Sequence, residues 1–441
     1  MRPATLARHP SRLACLATAL ALCPSARADT PAPAQTVLHL EQAVDIALKQ
    51  SPVLLSAQAN VGSAEGSAEQ TRSTLLPQLN AAAVAERLYG ATGSQSGTSV
   101  GVAGTQQRNA LTFSLNGTQL IWDFQSVDRT RSSFANVSSL QATEQATLIN
   151  TVLNVRSAFF LAQADRALVQ VQEETLANQS QHLTQTEAFV KVGTQPEIAL
   201  AQAKTNVANA RVALIQAKNN YVIAKAQLNQ AMGIVQGTAY EVAKEELPPM
   251  QGEDQGVDVL TDIALHERPE ILASAKAVES SDLALRAARG GYLPAFSLFG
   301  SLASTGDGIS HLSPAWNFGI QGTWDFFDGL KTPGVVQQAQ SNLDFANAQL
   351  TAEALQVRFS VEQADATLAG SKEAVVAAEE ALVNAREQLR LAEQRYVTGV
   401  GSIIELSDAQ VAATSAGAQL VQARFTLATA RAQLLAALGR R

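Results

Sequence analysis

The chain has 441 residues, 46% of them hydrophobic and 16% charged, with a formal net charge of −7. That balance disfavours nucleic acid as a partner, because an acidic surface repels phosphate. Cys15 and Cys23 are the only cysteines and both lie in the first 28 residues, so disulfides, cysteine metal sites and thiol catalysis are excluded from everything after them.

Arg2, Arg8 and Arg12 precede an apolar run from Leu13 to Leu22, and Ala26-Arg27-Ala28 places small residues where signal peptidase reads. This predicts a secretory signal peptide over residues 1–28, cut before Asp29. Leu22, before Cys23, is too large for a lipoprotein site. Loss of the leader's four arginines takes the charge from −7 to −11. No later stretch approaches the roughly 18 consecutive apolar residues that a spanning helix needs.

Two helical pieces are expected between Leu40 and Arg72, split at Ser51-Pro52 with Pro52 in the first turn of the second. Pro77 closes them, and a hairpin follows over about 78–122. Its first strand, Gln78 to Leu88, is a weak candidate; its second is clear, with Leu111, Phe113 and Leu115 alternating with Thr112, Ser114 and Asn116. Between them Tyr89 to Arg108, rich in Gly, Ser, Thr and Gln, reads as an exposed loop. A long helix is expected over about 127–189, and a returning helix over about 197–232.

Residues 234–257, with Pro248-Pro249, Gly252 and Gly256, read as a plain connector. The second half, 258–441, repeats the first: a hairpin at about 293–325, a long helix at about 333–395 and a returning helix at about 403–438. Leu200, Ala203, Val207, Ala210 and Leu214 match Leu406, Ala409, Ala413, Ala416 and Leu420 at a constant offset of 206 residues. Trp122-Asp123-Phe124 likewise matches Trp324-Asp325-Phe326. The chain is therefore read as a tandem duplication, with repeats over 29–233 and 258–441.

In the long helices apolar residues step alternately by four and three, as in Val357, Val361, Ala364, Leu368, Ser371 and Val375. That step keeps one stripe facing a neighbour in knobs-into-holes packing. The first long helix has a wetter seam, with Asp165, Gln172 and Gln179 where the second has Ser371, Ala378 and Ala385. Helices of about sixty residues reach on the order of 90 Å, which suits a bundle or tube.

In the second hairpin Trp316, Phe318, Ile320 and Trp324 alternate with Asn317, Gln321, Thr323 and Asp325. One apolar and one polar face fit either a membrane β-barrel or a hairpin lying on a soluble domain. Four strands cannot close a barrel, which needs about eight, so the barrel reading requires several chains. Trp122 and Trp324, at matched strand ends, suit a membrane interface. His9, His39, His182, His266 and His311 lack ligand spacing, so no metal or other cofactor is expected. Without a nucleophile elbow or phosphate loop, the chain does not read as an enzyme.

Signal peptide, paired repeats, two hairpins, two long helices and the turn Tyr396-Val397-Thr398-Gly399-Val400-Gly401-Ser402 together resemble the TolC-type outer-membrane efflux duct family. The resemblance implies a mainly α protomer of a homotrimer: an α-helical barrel in the periplasm joined to a twelve-stranded outer-membrane β-barrel, four strands from each chain. It implies a passive exit duct in a tripartite efflux pump, partnered by a periplasmic adaptor, an inner-membrane transporter and outer-membrane lipid. Service in type I protein secretion remains open on the same residues, as does an exported coiled-coil scaffold or adhesin without a pore. The family's periplasmic gate maps onto Tyr396, Glu405 and Asp408, whose carboxylates would form two acidic rings. The bland alternative is that acids simply favour a helix N-terminus. The turn arginine and first-repeat aspartate that interlock in some members are replaced by Gly401 and Ala199. The turns at Gly193, Thr194, Gly399, Val400 and Ser402 are the expected adaptor-docking points, or simple helix reversals.

Overall fold

The structure is a computed structural model and describes residues 36–91, 105–235, 240–250 and 252–441. The expected leader, 1–28, and the centre of the expected loop, 92–104, lie outside the described residues.

Each half begins with a helix pair broken at a proline. α1 (Leu40–Gln50) is followed by α2 (Pro52–Ser73), and α5 (Val257–Glu267) by α6 (Pro269–Gly290). The break falls there because proline lacks the N–H a continuing helix needs and fits the first turn of the next one. Strands β2 (Gln78–Ala91) and β3 (Thr105–Trp122) follow α2; β5 (Ala295–Gly306) and β6 (Ser313–Thr323) follow α6. Both first-hairpin strands run further into the glycine- and serine-rich stretch than composition suggests, because backbone pairing persists from Gln78↔Thr118 to Ala91↔Thr105. β-sheet pairing needs only backbone groups, so a polar sequence does not end it.

The four strands form one antiparallel sheet in the order β2-β3-β5-β6. Register places Leu115 opposite Leu302, and Leu302 opposite Trp316; Leu298 stands opposite Ile320. Leu79, Phe113, Leu115, Leu298, Leu302, Trp316, Phe318 and Ile320 therefore share one face, and every one of them is exposed. Ser114, Asn116, Ser301, Asn317 and Gln321 stand on the other. Among the described residues neither β2 nor β6 has a second partner strand.

From the sheet two rods depart. β3 ends at Trp122, and Asp123 caps α3 (Phe124–Lys191, 68 residues) by accepting from the N–H groups of Gln125 and Ser126 at 3.1 Å. At the start of α7 (Lys331–Val397, 67 residues), Asp328, two residues before the N-cap Leu330, accepts from the Thr332 N–H at 2.8 Å. At about 1.5 Å per residue each rod spans roughly 100 Å. α4 (Glu197–Met232) returns along α3, and α8 (Ile403–Ala437) along α7. α6 lies against both α3 and α7, and α8 also packs on α3, so the two coiled coils form one body.

The core follows the stripes. One cluster gathers Val155, Phe159, Leu228, Met232 and Val242; its counterpart in the second half gathers Leu260, Val357, Val361, Leu368 and Leu434. Each side chain so buried contributes on the order of 1.5–3 kcal/mol. The segment after α4 is more than a plain connector. β4 (Tyr240–Val242) pairs in parallel with β1 (Thr36–Leu38), and Glu253, almost wholly buried, meets Lys372 of α7 at 2.8 Å and Arg431 of α8 at 3.6 Å. A buried carboxylate requires such partners, and here they tie the segment onto the second coiled coil.

Candidate gate at the tip of the coiled coils

Both helix reversals at the tip end in a left-handed glycine, Gly193 at φ 77° and Gly399 at φ 81°. In each the following N–H reaches back five residues: Thr194 donates to Phe189 O and Val400 to Arg395 O, both at 3.0 Å. This closure needs positive φ at the glycine, which a side chain disfavours. Val400 and Val192 stand out into solvent, each 71% exposed, and Thr194 and Ser402 are exposed beside them. The five expected docking residues are all exposed at the two helix reversals.

Ser402 opens α8 by accepting from the Glu405 N–H at 3.1 Å. Glu405 in turn meets Arg395 across the turn at 2.9 Å, with both side chains largely in solvent. Asp408 is exposed one turn further on and has no ion pair among the described contacts. The two acids are thus not equivalent: a guanidinium offsets one of them.

Tyr396 lies elsewhere. It is 2% exposed and sits in the seam between the coiled coils, its ring centroid 4.8 Å from His182 and 6.2 Å from Phe189. Its hydroxyl is 3.4 Å from the Thr186 hydroxyl of α3. Further along the same seam Gln179 donates to Gln410 at 2.8 Å, with both side chains buried, and the hydroxyls of Thr175 and Thr414 are 3.0 Å apart. Beyond these, Gly417 of α8 lies beside Val171 of α3. Thr175, Gln179, His182 and Thr186 advance by four, three and four, so one face of α3 carries the whole ladder. Within the chain, then, Tyr396 faces α3, whereas Glu405 and Asp408 are on the surface.

The wet seam is legible in the sequence through Gln179, whereas Gln410, His182 and Thr186 as members of it, and Arg395 beside Glu405, are not. The seven-residue spacing from Thr175 to His182 was the available signal for the seam. Arg395 offered none, because a charge on a helical surface is ordinary. At the far end of the rods Trp122 and Trp324 are 56% and 61% exposed. Both mark the same end of the sheet: Trp122 pairs with Phe296 there, Trp324 donates from its indole N–H to Tyr292 O at 3.2 Å, and Phe124 and Phe326 stand against the two indoles. Among the described residues there is no cluster of His, Cys, Asp and Glu able to hold a metal, and no helix long and apolar enough to cross a membrane.

The profile of the family described as outer membrane efflux protein matches residues 43–234 and 260–440, most of the chain. The chain belongs to the outer membrane efflux protein family. Among its relatives, the probable efflux pump outer membrane protein TtgC of Pseudomonas putida is 28% identical over 312 residues, covering 69% of this chain and 63% of that protein. The cation efflux system protein CusC of Escherichia coli is 24% identical over 286 residues, covering 62% of this chain and 61% of that protein. The aligned part spans less than two thirds of the length of either. In fold the chain is similar to solved CusC (TM-score 0.80, 20% identity, 91% of this chain and 92% of that one). It is equally similar to VceC of Vibrio cholerae (TM-score 0.80, 18% identity, 91% and 96%). These likenesses carry the fold class: a mainly helical protomer with a small β part. The family is one of outer-membrane efflux channels, not of enzymes.

Proposed function

We propose that this outer membrane efflux protein is a passive exit duct that works as a homotrimer and carries small molecules through the periplasm and outer membrane. The observation that carries the reading is the four-stranded sheet. One face is apolar and exposed, at 74% for Trp316, 73% for Phe318 and 70% for Ile320, and both edge strands lack a second neighbour among the described residues. An exposed apolar face beside open edges is unstable in water and natural in lipid once the edges are joined. β2 and β6 run antiparallel within the sheet, so β6 of one copy can pair antiparallel with β2 of the next, and three copies supply twelve strands.

The helices support the same assembly. α4 exposes Val212, Ile215 and Val222, while α7 exposes Leu355, Phe359, Val376 and Val383. Two different apolar faces on one chain make a head-to-tail contact that closes into a ring. In that ring the tip residues Gly193, Thr194, Gly399, Val400 and Ser402 form the surface for a periplasmic adaptor, through which an inner-membrane transporter is engaged. Trp122 and Trp324 seat the barrel in outer-membrane lipid. Asp408, with Glu405 behind its arginine, supplies acidic rings at the entrance, and Tyr396 fastens the seam that keeps the entrance narrow. The test is native mass measurement of the detergent-extracted mature protein. Three chains are expected; a single chain or an open series of sizes would contradict the reading.

A further inference from the structure

The seam that fastens the tip is built from uncharged polar groups, with one exception. His182 is 6% exposed, and its Nε2 is buried without a hydrogen-bond partner. Its ring packs edge-on against Tyr396 at 4.8 Å. From α7 and α8 the neighbouring core is Tyr396, Ala392, Leu406 and Ala409, with Gln410 near Gln179 one turn away. Tyr396 is thus the titratable group that faces the imidazole. The charged residues on the surrounding turns are Glu187 of α3, Lys204 of α4, Arg386, Glu387, Arg390, Glu393 and Arg395 of α7, and Glu405 and Asp408 of α8, and all of them are exposed. No carboxylate reaches the ring to neutralise an imidazolium.

We propose that His182 makes the fastening of the tip acid-sensitive: the coiled coils stay joined while its ring is neutral, and part at the tip when it takes a proton. A buried cation without a partner is strongly disfavoured, and separating α3 from α7 and α8 is the local route to solvating it. Burial already pushes the imidazole below its ordinary value of 6.5, against a smaller opposing pull from Gln185. The sign follows. A histidine whose folded value is depressed adds stability above its ordinary value, and that stability is lost as pH falls through the range below it. The parting of the helices follows from the seam alone; its effect on permeation rests on the duct reading.

The mature chain has no cysteine, so single cysteines can carry spin labels at Ser180 of α3 and Val411 of α8, both exposed. Labelled chains are diluted with unlabelled ones, and the distance between the labels is measured at about pH 7.5 and about pH 5, on either side of an imidazole's titration. The expected result is a narrow distribution at the higher pH and a longer, broader one at the lower. In His182→Gln and His182→Phe, which cannot titrate, the distribution should stay narrow at both. An unchanged distribution in the unsubstituted protein, or the same acid shift in both variants, would overturn the inference. Planar-bilayer current is the second readout, expected to rise several-fold at the lower pH only in the unsubstituted protein. If the labels part in acid and no current passes at any pH, the inference holds and the duct reading falls.

Discussion

Arg395 closes on Glu405 at 2.9 Å across the tip turn, so the two acids that follow the turn stand in different electrostatic settings. An exposed pair of this kind contributes about 0–1 kcal/mol to stability. It does, however, halve the local charge presented to a passing ion. Asp408→Asn is therefore expected to lower cation preference in a bilayer more than Glu405→Gln does, and Arg395→Gln to raise it. Reversal potentials in a salt gradient give the order; an effect of Glu405→Gln as large as that of Asp408→Asn would remove the role given to the arginine.

Tyr396 fills the seam with its ring more than with its hydroxyl, whose contact with Thr186 is long at 3.4 Å. Tyr396→Phe should leave thermal stability and closed-state current close to those of the parent. Tyr396→Ala opens a cavity beside His182 and Phe189, and removing a buried aromatic costs about 3–5 kcal/mol. It should loosen the tip and raise basal current, with increased protease cutting near the turns as an independent check.

Glu253 ties the segment after α4 to the second coiled coil. Burial pushes its carboxyl up, but hydrogen bonds from Lys372 and from the Met250 N–H, with the charges of Arg431 and Lys372, outweigh burial and leave it below the ordinary value of 4.5. A carboxylate lowered on folding stabilises above its unfolded value, and the gain disappears as pH falls through the folded one. Glu253→Ala takes the only carboxylate from Arg431, while Lys372 keeps Asp254 at 2.7 Å, and should cost about 1–3 kcal/mol. The parent should lose stability between neutral pH and pH below about 4.5 more steeply than the variant does, as read by melting curves.

The two faces of the sheet make opposite demands. Phe318→Arg puts a charge on the apolar face, where about 2–4 kcal/mol is lost near the bilayer midplane, and should reduce the amount of assembled protein in outer-membrane fractions. Asn317→Arg, its neighbour on the polar face, should assemble normally and lower cation current. Equal effects of the two on assembly would show that the faces are not sorted between lipid and lumen.

Much of the fold was legible because its signals are periodic. Val357 to Val375 step as a coiled coil must, and Trp316 to Ile320 alternate as a half-exposed strand must. The strand ends at Ala91 and Thr105 were not legible, since backbone pairing continues where side-chain alternation has stopped. Nor was β4, a three-residue strand whose partner β1 lies about two hundred residues earlier. At the tip, spacing brings Glu405 and Asp408 to one helical face and puts Tyr396 at the end of the buried stripe of α7, but it does not show that α3 is what Tyr396 faces. A stripe identifies the face of a helix that is buried. Which helix buries it is a property of the packed body, and so His182 and Gln410 emerged only there.

Single-channel current from the purified mature protein in a planar bilayer tests the central claim most directly. A trimeric duct fastened at its tip predicts small, cation-preferring conductance steps that enlarge in Tyr396→Ala and lose selectivity in Asp408→Asn. Folded, membrane-inserted trimers that pass no current, in the parent and in both variants, would contradict it.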